Sequence, residues 1–204
     1  QSCVKFVHTS SCIAVAAVAD KKAPGASYDE EDFNEWSTVE RDPYGFAKAA
    51  AETLVVKTCA EMDLPLATVN PGVTLGPCFT KAHTKSSTVL LRELLYGNKM
   101  LNYNCCFVDV RDVARAHAAC LLTAATGRHL CVNDEGVMNT MDLGPVAAKA
   151  CPQWKTSATP MYSTSLKAWM RTVHDAPLVG PAITSLFGIT DFKLRVVEEK
   201  IAFS

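Results

Sequence analysis

The chain has 204 residues, 49% hydrophobic and 20% charged, which is the composition of a compact globular protein rather than a disordered one. Its formal net charge of −1, with Lys and Arg scattered along the sequence, argues against a nucleic-acid partner or an anionic membrane surface. No apolar stretch reaches the roughly 18 residues that a membrane-spanning helix needs. The longest candidate, residues 178–189, is interrupted by Gly180 and Pro181.

Nine cysteines are many for this length, but their number is odd and no two form a C-x-x-C pair. Cys59, Cys120 and Cys131 lie inside apolar runs. We therefore interpret the cysteines as small buried residues of an intracellular, reducing compartment, with nothing to separate the cytoplasm from an organelle lumen. The five histidines show no ligand spacing with another His or Cys, so no metal site is predicted.

The most sharply delimited element is a helix that begins at Asp42–Pro43, because Asp caps free N–H groups and Pro is preformed for the first helical position. Strand and helix patterns alternate around it, which predicts an α/β protein with a mainly parallel sheet. In chain order we predict a strand over 4–8, an apolar segment over 12–19, a surface excursion over 20–41, a helix over 43–61, a strand over 65–69, a turn over 70–72, a helix over 88–95, a strand over 107–110, a helix over 111–123, a strand over 129–133 and a helix over 141–150.

The pattern weakens beyond Pro152. A helix is predicted over 165–172, followed by a Pro- and Gly-rich patch over 177–188 and a mixed end over 196–203. Position 1 is Gln and no signal-peptide pattern follows, so we expect that the chain was processed or begins part-way through a gene product.

Tyr44 and Lys48 stand four residues apart in the first turns of the predicted helix, which places the phenol and the ammonium on one face. Hydride reduction of a carbonyl leaves an alkoxide that needs a proton, and a phenol is a suitable acid. A neighbouring Lys cation favours the phenolate and so assists the transfer. Such a pair also occurs on ordinary solvated helix faces, so the spacing alone leaves a structural reading open.

Ser10 and Ser11 follow a predicted strand, and the turn Asn70-Pro71-Gly72 follows the next one. Open parallel sheets bind their ligands at the carboxyl edge, where a Ser hydroxyl can donate to a substrate carbonyl. A Pro-Gly turn at the same edge lets backbone approach a flat ligand closely. Each feature alone also fits an ordinary loop, but their occurrence at matching strand ends predicts a site there.

Five segments within about residues 3 to 150 together form one pattern. They are Val-Lys-Phe-Val-His-Thr-Ser-Ser (4–11), Tyr-Asp-Glu-Glu-Asp-Phe-Asn-Glu-Trp (28–36), Tyr-Gly-Phe-Ala-Lys-Ala-Ala-Ala-Glu (44–52), Val-Asn-Pro-Gly-Val-Thr-Leu-Gly-Pro (69–77) and Phe-Val-Asp-Val-Arg-Asp-Val-Ala-Arg-Ala-His (107–117). In this order they resemble the extended short-chain dehydrogenases/reductases of the NAD-dependent epimerase/dehydratase superfamily. They look closest to the dihydroflavonol reductase and cinnamoyl-CoA reductase branch.

This resemblance implies a reductase of a ketone or aldehyde on a mid-sized organic substrate. Ser11, with Ser10 as the alternative, would polarise the carbonyl, and Tyr44 would donate the proton. Lys48 would hold the nicotinamide ribose and favour the Tyr44 phenolate. NADP is the implied cofactor, with NAD not excluded, and a small molecule is the implied substrate. The residues implied to contact the cofactor are Thr9, Ser10, Tyr44, Lys48, Pro71, Gly72 and Val73.

The chain also departs from the family pattern. It has Arg41-Asp42-Pro43-Tyr44 where cinnamoyl-CoA reductases carry Asn-Trp-Tyr-Cys-Tyr, so no cinnamoyl-CoA substrate is predicted. The Gly-rich phosphate loop and the residue that selects between NAD and NADP are absent from all 204 positions. By the resemblance, residues 1–150 are the C-terminal portion of a Rossmann-like domain with interleaved substrate-lobe segments. Residues 151–204 are the remainder of a small substrate lobe, truncated at its end.

A parallel sheet that begins at the first strand would expose Val4 and Phe6 along an unpaired apolar edge. Two functions are compatible with that expectation. The protein is a working reductase, or it is a catalytically silent reductase-like subunit of a larger assembly that covers the edge. The presence of Ser11, Tyr44 and Lys48 together favours the enzyme. A nucleotide-binding sensor without turnover ranks last, because it would need Lys48 but could dispense with Tyr44. Candidate substrate contacts, each of which also fits ordinary packing, are Phe79, His83, Tyr162 and Trp169.

Overall fold

The structure is a computed structural model, and it describes residues 3–17, 22, 26–97, 99–100, 103–134, 136–153 and 159–160. The elements predicted over 165–172, 177–188 and 196–203 lie outside the described residues, as do Tyr162, Trp169 and most of the proposed lobe over 151–204. Within the described part of the chain, no helix has the length and apolar character needed to cross a membrane.

Strands and helices alternate along the described chain. In order they are β1 (Phe6–Thr9), α1 (Pro43–Glu61), β2 (Leu66–Pro71), β3 (Val73–Leu75), α2 (Thr88–Leu95), β4 (Lys99–Met100), β5 (Asn104–Asp109), α3 (Val110–Leu122), β6 (Gly127–Cys131), β7 (Val137–Asn139), α4 (Leu143–Ala150) and β8 (Thr159–Pro160). Short 3₁₀ turns cover Cys12–Ala14, Lys81–Lys85 and Thr140–Asp142.

The strands form a central three-stranded sheet, a second three-stranded group and a two-stranded pair. In the central sheet β2 lies between β1 and β6, and both pairings are parallel. The second group has the order β3-β5-β7, in which β3 pairs with β5 in parallel and β7 pairs with β5 antiparallel. A short parallel pair joins β4 to β8. The α/β class and the mainly parallel sheet predicted from the sequence are confirmed, with β7 as the exception.

Helix α1 begins and ends where the sequence predicts. The Asp42 side chain accepts a hydrogen bond from the backbone N–H of Gly45 at 3.0 Å, and Pro43 occupies the first helical position. The helix ends at Glu61, and Asp63 then adopts a left-handed φ of 50°, which Asp tolerates better than most residues. That turn leads the chain into β2.

Strand β2 extends two residues further than predicted, through Asn70 and Pro71. These residues are poor strand formers, but they lie opposite Leu130 and Cys131 of β6 in the parallel register. Pairing with a neighbouring strand therefore decides their conformation. Strands β3 and β7 escaped prediction because three residues are too few to show an alternating pattern.

Two apolar clusters hold helices against the strands. Ala67 and Val69 of β2 pack with Cys120 of α3, and Leu94 of α2 packs with Phe107 of β5. All nine cysteines are free thiols. Cys59, Cys105, Cys106 and Cys120 are buried, as expected of small core residues, whereas Cys12, Cys131 and Cys151 are partly buried and Cys3 and Cys78 are exposed, so the expectation holds for only part of the set.

The segment over 20–41 was predicted as a surface excursion, and for its described part, residues 22 and 26–41, this is wrong in one respect. It contains no helix or strand, yet Tyr28, Asn34 and Ser37 are buried. Polar side chains are buried only where they find hydrogen-bond partners, and Asn34 and Ser37 find theirs around the start of α1.

Strand β1 lies at the edge of the central sheet, because within the described residues it pairs with β2 alone. Val4 is 79% exposed and Phe6 is 41% exposed, as expected for an uncovered apolar edge.

Candidate active site

A cavity of about 390 Å³ opens at the carboxyl ends of β1 and β2, the edge at which parallel sheets bind ligands. It brings together most of the residues that the sequence singled out. The wall includes Thr9, Ser10, Ser11, Tyr44, Pro71 and Gly72. Lys48 and Val73, also predicted to contact a cofactor, are not among the lining residues.

Ser11 joins β1 to the 3₁₀ turn and is partly exposed. Its hydroxyl oxygen accepts a hydrogen bond from the backbone N–H of Ile13 at 3.4 Å, which caps the turn. A hydroxyl that accepts in this way can still donate its own hydrogen, so Ser11 can present a donor to a carbonyl oxygen in the cavity.

Ser10 is placed differently. It is 4% exposed, and its hydroxyl donates a short hydrogen bond to the carboxylate of Glu52. The Ser10 hydrogen is therefore engaged by a buried anion, whereas that of Ser11 is not. Of the two serines proposed to polarise a substrate, the geometry favours Ser11.

Tyr44 lies at the second position of α1, with 58% of its surface exposed at the cavity wall. The ammonium of Lys48 lies 5.9 Å from the centre of the Tyr44 ring, one helical turn further along the same face. The predicted shared face is thus observed. Lys48 itself does not line the cavity.

His8 of β1 lies within electrostatic reach of both Lys48 and Glu52. Burial lowers the pKa of His8 below its usual value, the Lys48 cation lowers it further, and the Glu52 carboxylate opposes both effects. His8 is consequently a neutral imidazole at pH 7.

A buried polar network that the sequence did not predict fixes the start of α1. The Asn34 amide donates to the Ile13 carbonyl at 2.7 Å and to the Ser37 hydroxyl at 2.8 Å. Ser37 in turn donates to Asp42 at 2.8 Å. This chain links the turn that follows Ser11 to the residue that caps the helix of Tyr44. A Cβ on Gly45 would lie 2.5 Å from the Ser37 hydroxyl, so glycine is required there.

A second buried network centres on Glu52, which is 1% exposed. Its carboxylate accepts from Ser10, from the Asn70 amide at 2.9 Å and from the Arg128 guanidinium at 2.5 Å. Glu52 ends segment 44–52, one of the five segments that carry the family resemblance. It follows Tyr44 by eight residues, and this spacing could have predicted that both lie on the same helix face.

Thr9 is fixed by a histidine of α3. The Nδ1 of His117 lies 2.8 Å from the Val113 carbonyl, to which only a protonated nitrogen can donate. In the neutral ring, Nε2 then accepts from the Thr9 hydroxyl at 2.7 Å. The pair sets the orientation of a side chain that lines the cavity.

Gly72 meets a different neighbour from the one expected. A Cβ at this position would lie 2.5 Å from the carbonyl oxygen of Cys106 on β5. Close packing of the turn against that strand therefore requires glycine, whether or not a ligand also lies near it.

The outer wall of the cavity combines apolar and polar side chains between β3 and α2. Phe79 is 84% exposed, and its backbone N–H donates to Nδ1 of His83 at 3.2 Å. Both residues line the cavity, where the sequence proposed substrate contacts. The remaining lining residues are Thr74, Leu75, Gly76, Pro77, Cys78, Ser86, Ser87, Thr88 and Val110.

Within the described residues, no group of three His, Cys, Asp or Glu side chains is arranged to hold a metal ion.

Comparison with known proteins identifies the family of the chain. The model of the NAD dependent epimerase/dehydratase family matches residues 1–133. The chain belongs to this family. Its resemblance to the cinnamoyl-CoA reductase branch is confirmed by rice (Oryza sativa subsp. japonica) cinnamoyl-CoA reductase 1, which is 30% identical over 158 residues, 76% of this chain and 46% of the rice protein.

A further relative, yeast Gre2, is similar in sequence and in structure. The NADPH-dependent methylglyoxal reductase GRE2 of Saccharomyces cerevisiae is 28% identical over 147 residues, 64% of this chain and 43% of that protein. The crystal structure of yeast methylglyoxal/isovaleraldehyde reductase Gre2 complexed with NADPH superposes with a TM-score of 0.66 at 24% identity, covering 79% of this chain and 52% of that one. This chain spans less than half the length of the rice and yeast proteins that it matches in sequence.

Proposed function

We propose that this chain is the catalytic part of an NADPH-dependent reductase of aldehydes or ketones. The observation that carries the proposal is the meeting of Ser11 and Tyr44 at one cavity, with the Lys48 ammonium 5.9 Å from the centre of the Tyr44 ring. Ser11 follows β1 and caps the 3₁₀ turn, whereas Tyr44 and Lys48 belong to α1, so a long loop separates them in sequence. A donor hydroxyl, an acidic phenol and a cation are the groups that carbonyl reduction needs.

The Ser11 hydroxyl would donate a hydrogen bond to the substrate carbonyl oxygen and so favour negative charge on it. Bound NADPH would supply the hydride that reduces the carbonyl carbon. Tyr44 would transfer its phenolic proton to the resulting oxygen, which completes the alcohol. The Lys48 cation would stabilise the phenolate that remains on Tyr44 until a proton from solvent restores the phenol.

The cavity edge fits the nicotinamide end of such a cofactor. Pro71 and Gly72 present little side-chain bulk on the cavity wall, which leaves room for a flat ring. Thr9, Ser10, Lys48 and Val73 complete the set that we propose to hold it. NADPH is preferred to NADH because the yeast relatives are described with NADPH.

The substrate would be a mid-sized, partly apolar carbonyl compound. Leu75, Pro77 and Phe79 offer apolar contact, while His83 and Ser87 offer hydrogen bonds on the same outer wall. This division suits a molecule with an apolar body and at least one polar substituent besides the carbonyl.

The direct test is NADPH oxidation by the protein at its natural length, with a panel of aliphatic and aromatic aldehydes and ketones. We expect carbonyl-dependent turnover with some members and slower turnover with NADH. Absence of turnover with either cofactor across the panel, in a protein recovered only within a larger complex, would contradict the proposal and favour the silent accessory subunit.

Chemical modification offers an independent check on the cavity. Cys78 is exposed and lines the cavity wall. Cys12 follows Ser11 in the sequence, and burial raises the pKa of its thiol to about 11. A raised pKa keeps the Cys12 thiol protonated and less reactive, so N-ethylmaleimide should react at Cys78 instead. We expect inactivation that Cys78→Ser prevents. Cys3 is exposed but does not line the cavity, so Cys3→Ser should leave the inactivation rate unchanged, and equal rates in both variants would refute the assignment.

A further inference from the structure

One buried amide holds the backbone of Ser11 in place. The Nδ2 of Asn70 donates to the Ser11 carbonyl oxygen at 3.2 Å and to Oε2 of Glu52 at 2.9 Å. Asn70 is 0% exposed, so these bonds do not compete with water. The Ser11 carbonyl also accepts from Ala14 N–H within its own turn at 2.9 Å. It is therefore held both from within the turn and from β2.

Glu52 connects this amide to the helix of the proposed acid. Tyr44, Lys48 and Glu52 follow one another at intervals of four residues, so they lie along one face of α1. Tyr44 lines the cavity, Lys48 lies beside the Tyr44 ring, and Glu52 accepts a hydrogen bond from Asn70. One rigid helix thereby sets the phenol directly and, through Asn70, the position of the serine.

We infer that Asn70 is a positioning residue for Ser11 and that Glu52 is its anchor, the inference resting on the reductase function proposed above. The hydroxyl of Ser11 and the phenol of Tyr44 must reach the same carbonyl oxygen, yet they belong to a loop and a helix that are far apart in sequence. The Glu52–Asn70–Ser11 chain is a direct hydrogen-bonded connection between those two elements.

Loss of the Asn70 amide would leave the Ser11 carbonyl with one donor and the Glu52 carboxylate with one donor fewer. The loop would then be free to move relative to α1. Misplacement of a catalytic group by about 1 Å costs on the order of 100-fold in rate. Substrate and cofactor binding depend on many other contacts, so they should change much less.

The test compares Asn70→Ala and the isosteric Asn70→Asp, which keeps the side-chain shape but replaces the amide donor with a carboxyl group facing the Glu52 carboxylate, with Thr68→Ala. Thr68 is 1% exposed and lies two residues earlier on β2, with its side chain on the same face of the strand, and like Asn70 it does not line the cavity. It therefore controls for loss of packing in the sheet.

Measured on the protein at its natural length, both Asn70 variants should lower kcat by about 100-fold, with KM and the NADPH dissociation constant changed by less than about threefold. Thr68→Ala should keep its kcat. A kcat for Asn70→Ala within about twofold of that of Thr68→Ala would overturn the inference and leave the proposed function intact.

Hydrogen–deuterium exchange gives a second readout that needs no turnover. Amides of residues 11–14 should exchange faster in Asn70→Ala than in wild type or Thr68→Ala. Unchanged protection in Asn70→Ala would overturn the inference whether or not the protein reduces carbonyls. Absence of turnover in wild type, in contrast, would refute the proposed function, and exchange would still decide whether Asn70 holds the Ser11 loop.

Discussion

Replacing Tyr44 by Phe should lower kcat for carbonyl reduction by a factor of about 10² to 10⁴, the usual contribution of a positioned general acid. The substitution removes only the phenolic oxygen, and the ring is 58% exposed, so stability should change little. NADPH binding should be retained, because the hydroxyl serves proton transfer in the proposed mechanism. Steady-state kinetics combined with a cofactor titration by fluorescence would measure both quantities.

Tyr96→Phe is the matched control for this experiment. Tyr96 follows α2, is 67% exposed and does not line the cavity, so the same loss of a hydroxyl there should leave kcat unchanged. If Tyr44→Phe retained wild-type kcat, Tyr44 would not be the proton donor, and the meeting of Ser11 and Tyr44 would need another explanation.

Local signals in the sequence predicted what short-range physics determines. Asp42 and Pro43 defined the start of α1 because a cap and a preformed φ act within one turn. The four-residue spacing of Tyr44 and Lys48 needed only helix geometry. The parallel alternation of strands and helices placed Ser11 and Pro71 at one sheet edge, where the cavity indeed lies.

Contacts between distant segments could not be predicted in this way. Glu52 and Arg128 are 76 residues apart, and Asn34 meets the Ile13 carbonyl from 21 residues away. Sequence periodicity does not predict such pairs, because these polar residues differ from others only in being buried together in the folded chain. The same reason explains why residues 26–41 were expected on the surface although Asn34 and Ser37 are buried there.

A residue can also be required for a physical reason other than the one for which it was predicted. Gly72 was predicted at the site, and it lines the cavity, but the contact that requires glycine is with the Cys106 backbone. Strand β5 brings Cys106 to that point from 34 residues away in the sequence. A motif can therefore locate a residue correctly while its physical necessity arises from packing that only the structure shows.

Removing the Glu52 carboxylate should have the largest effect on stability. Glu52→Ala leaves the Arg128 guanidinium, whose side chain is 17% exposed, without its acid partner. It also removes the acceptor of Ser10 and Asn70, both buried. Breaking a buried pair from one side typically costs about 3 to 5 kcal/mol in the free energy of unfolding. Chemical denaturation monitored by circular dichroism would measure it.

The same helix provides the control. Glu61 of α1 lies 3.8 Å from Lys57, with side chains 64% and 72% exposed, and such a surface pair contributes about 0 to 1 kcal/mol. Glu61→Ala should therefore shift the denaturation midpoint only slightly.

Arg128 also donates to the carbonyls of Glu30, Asp32 and Ala14, so Arg128→Met should destabilise the protein as well. In the double variant the two losses should be less than additive, since both break one pair. Fully additive losses would show that Glu52 and Arg128 stabilise the protein independently of each other.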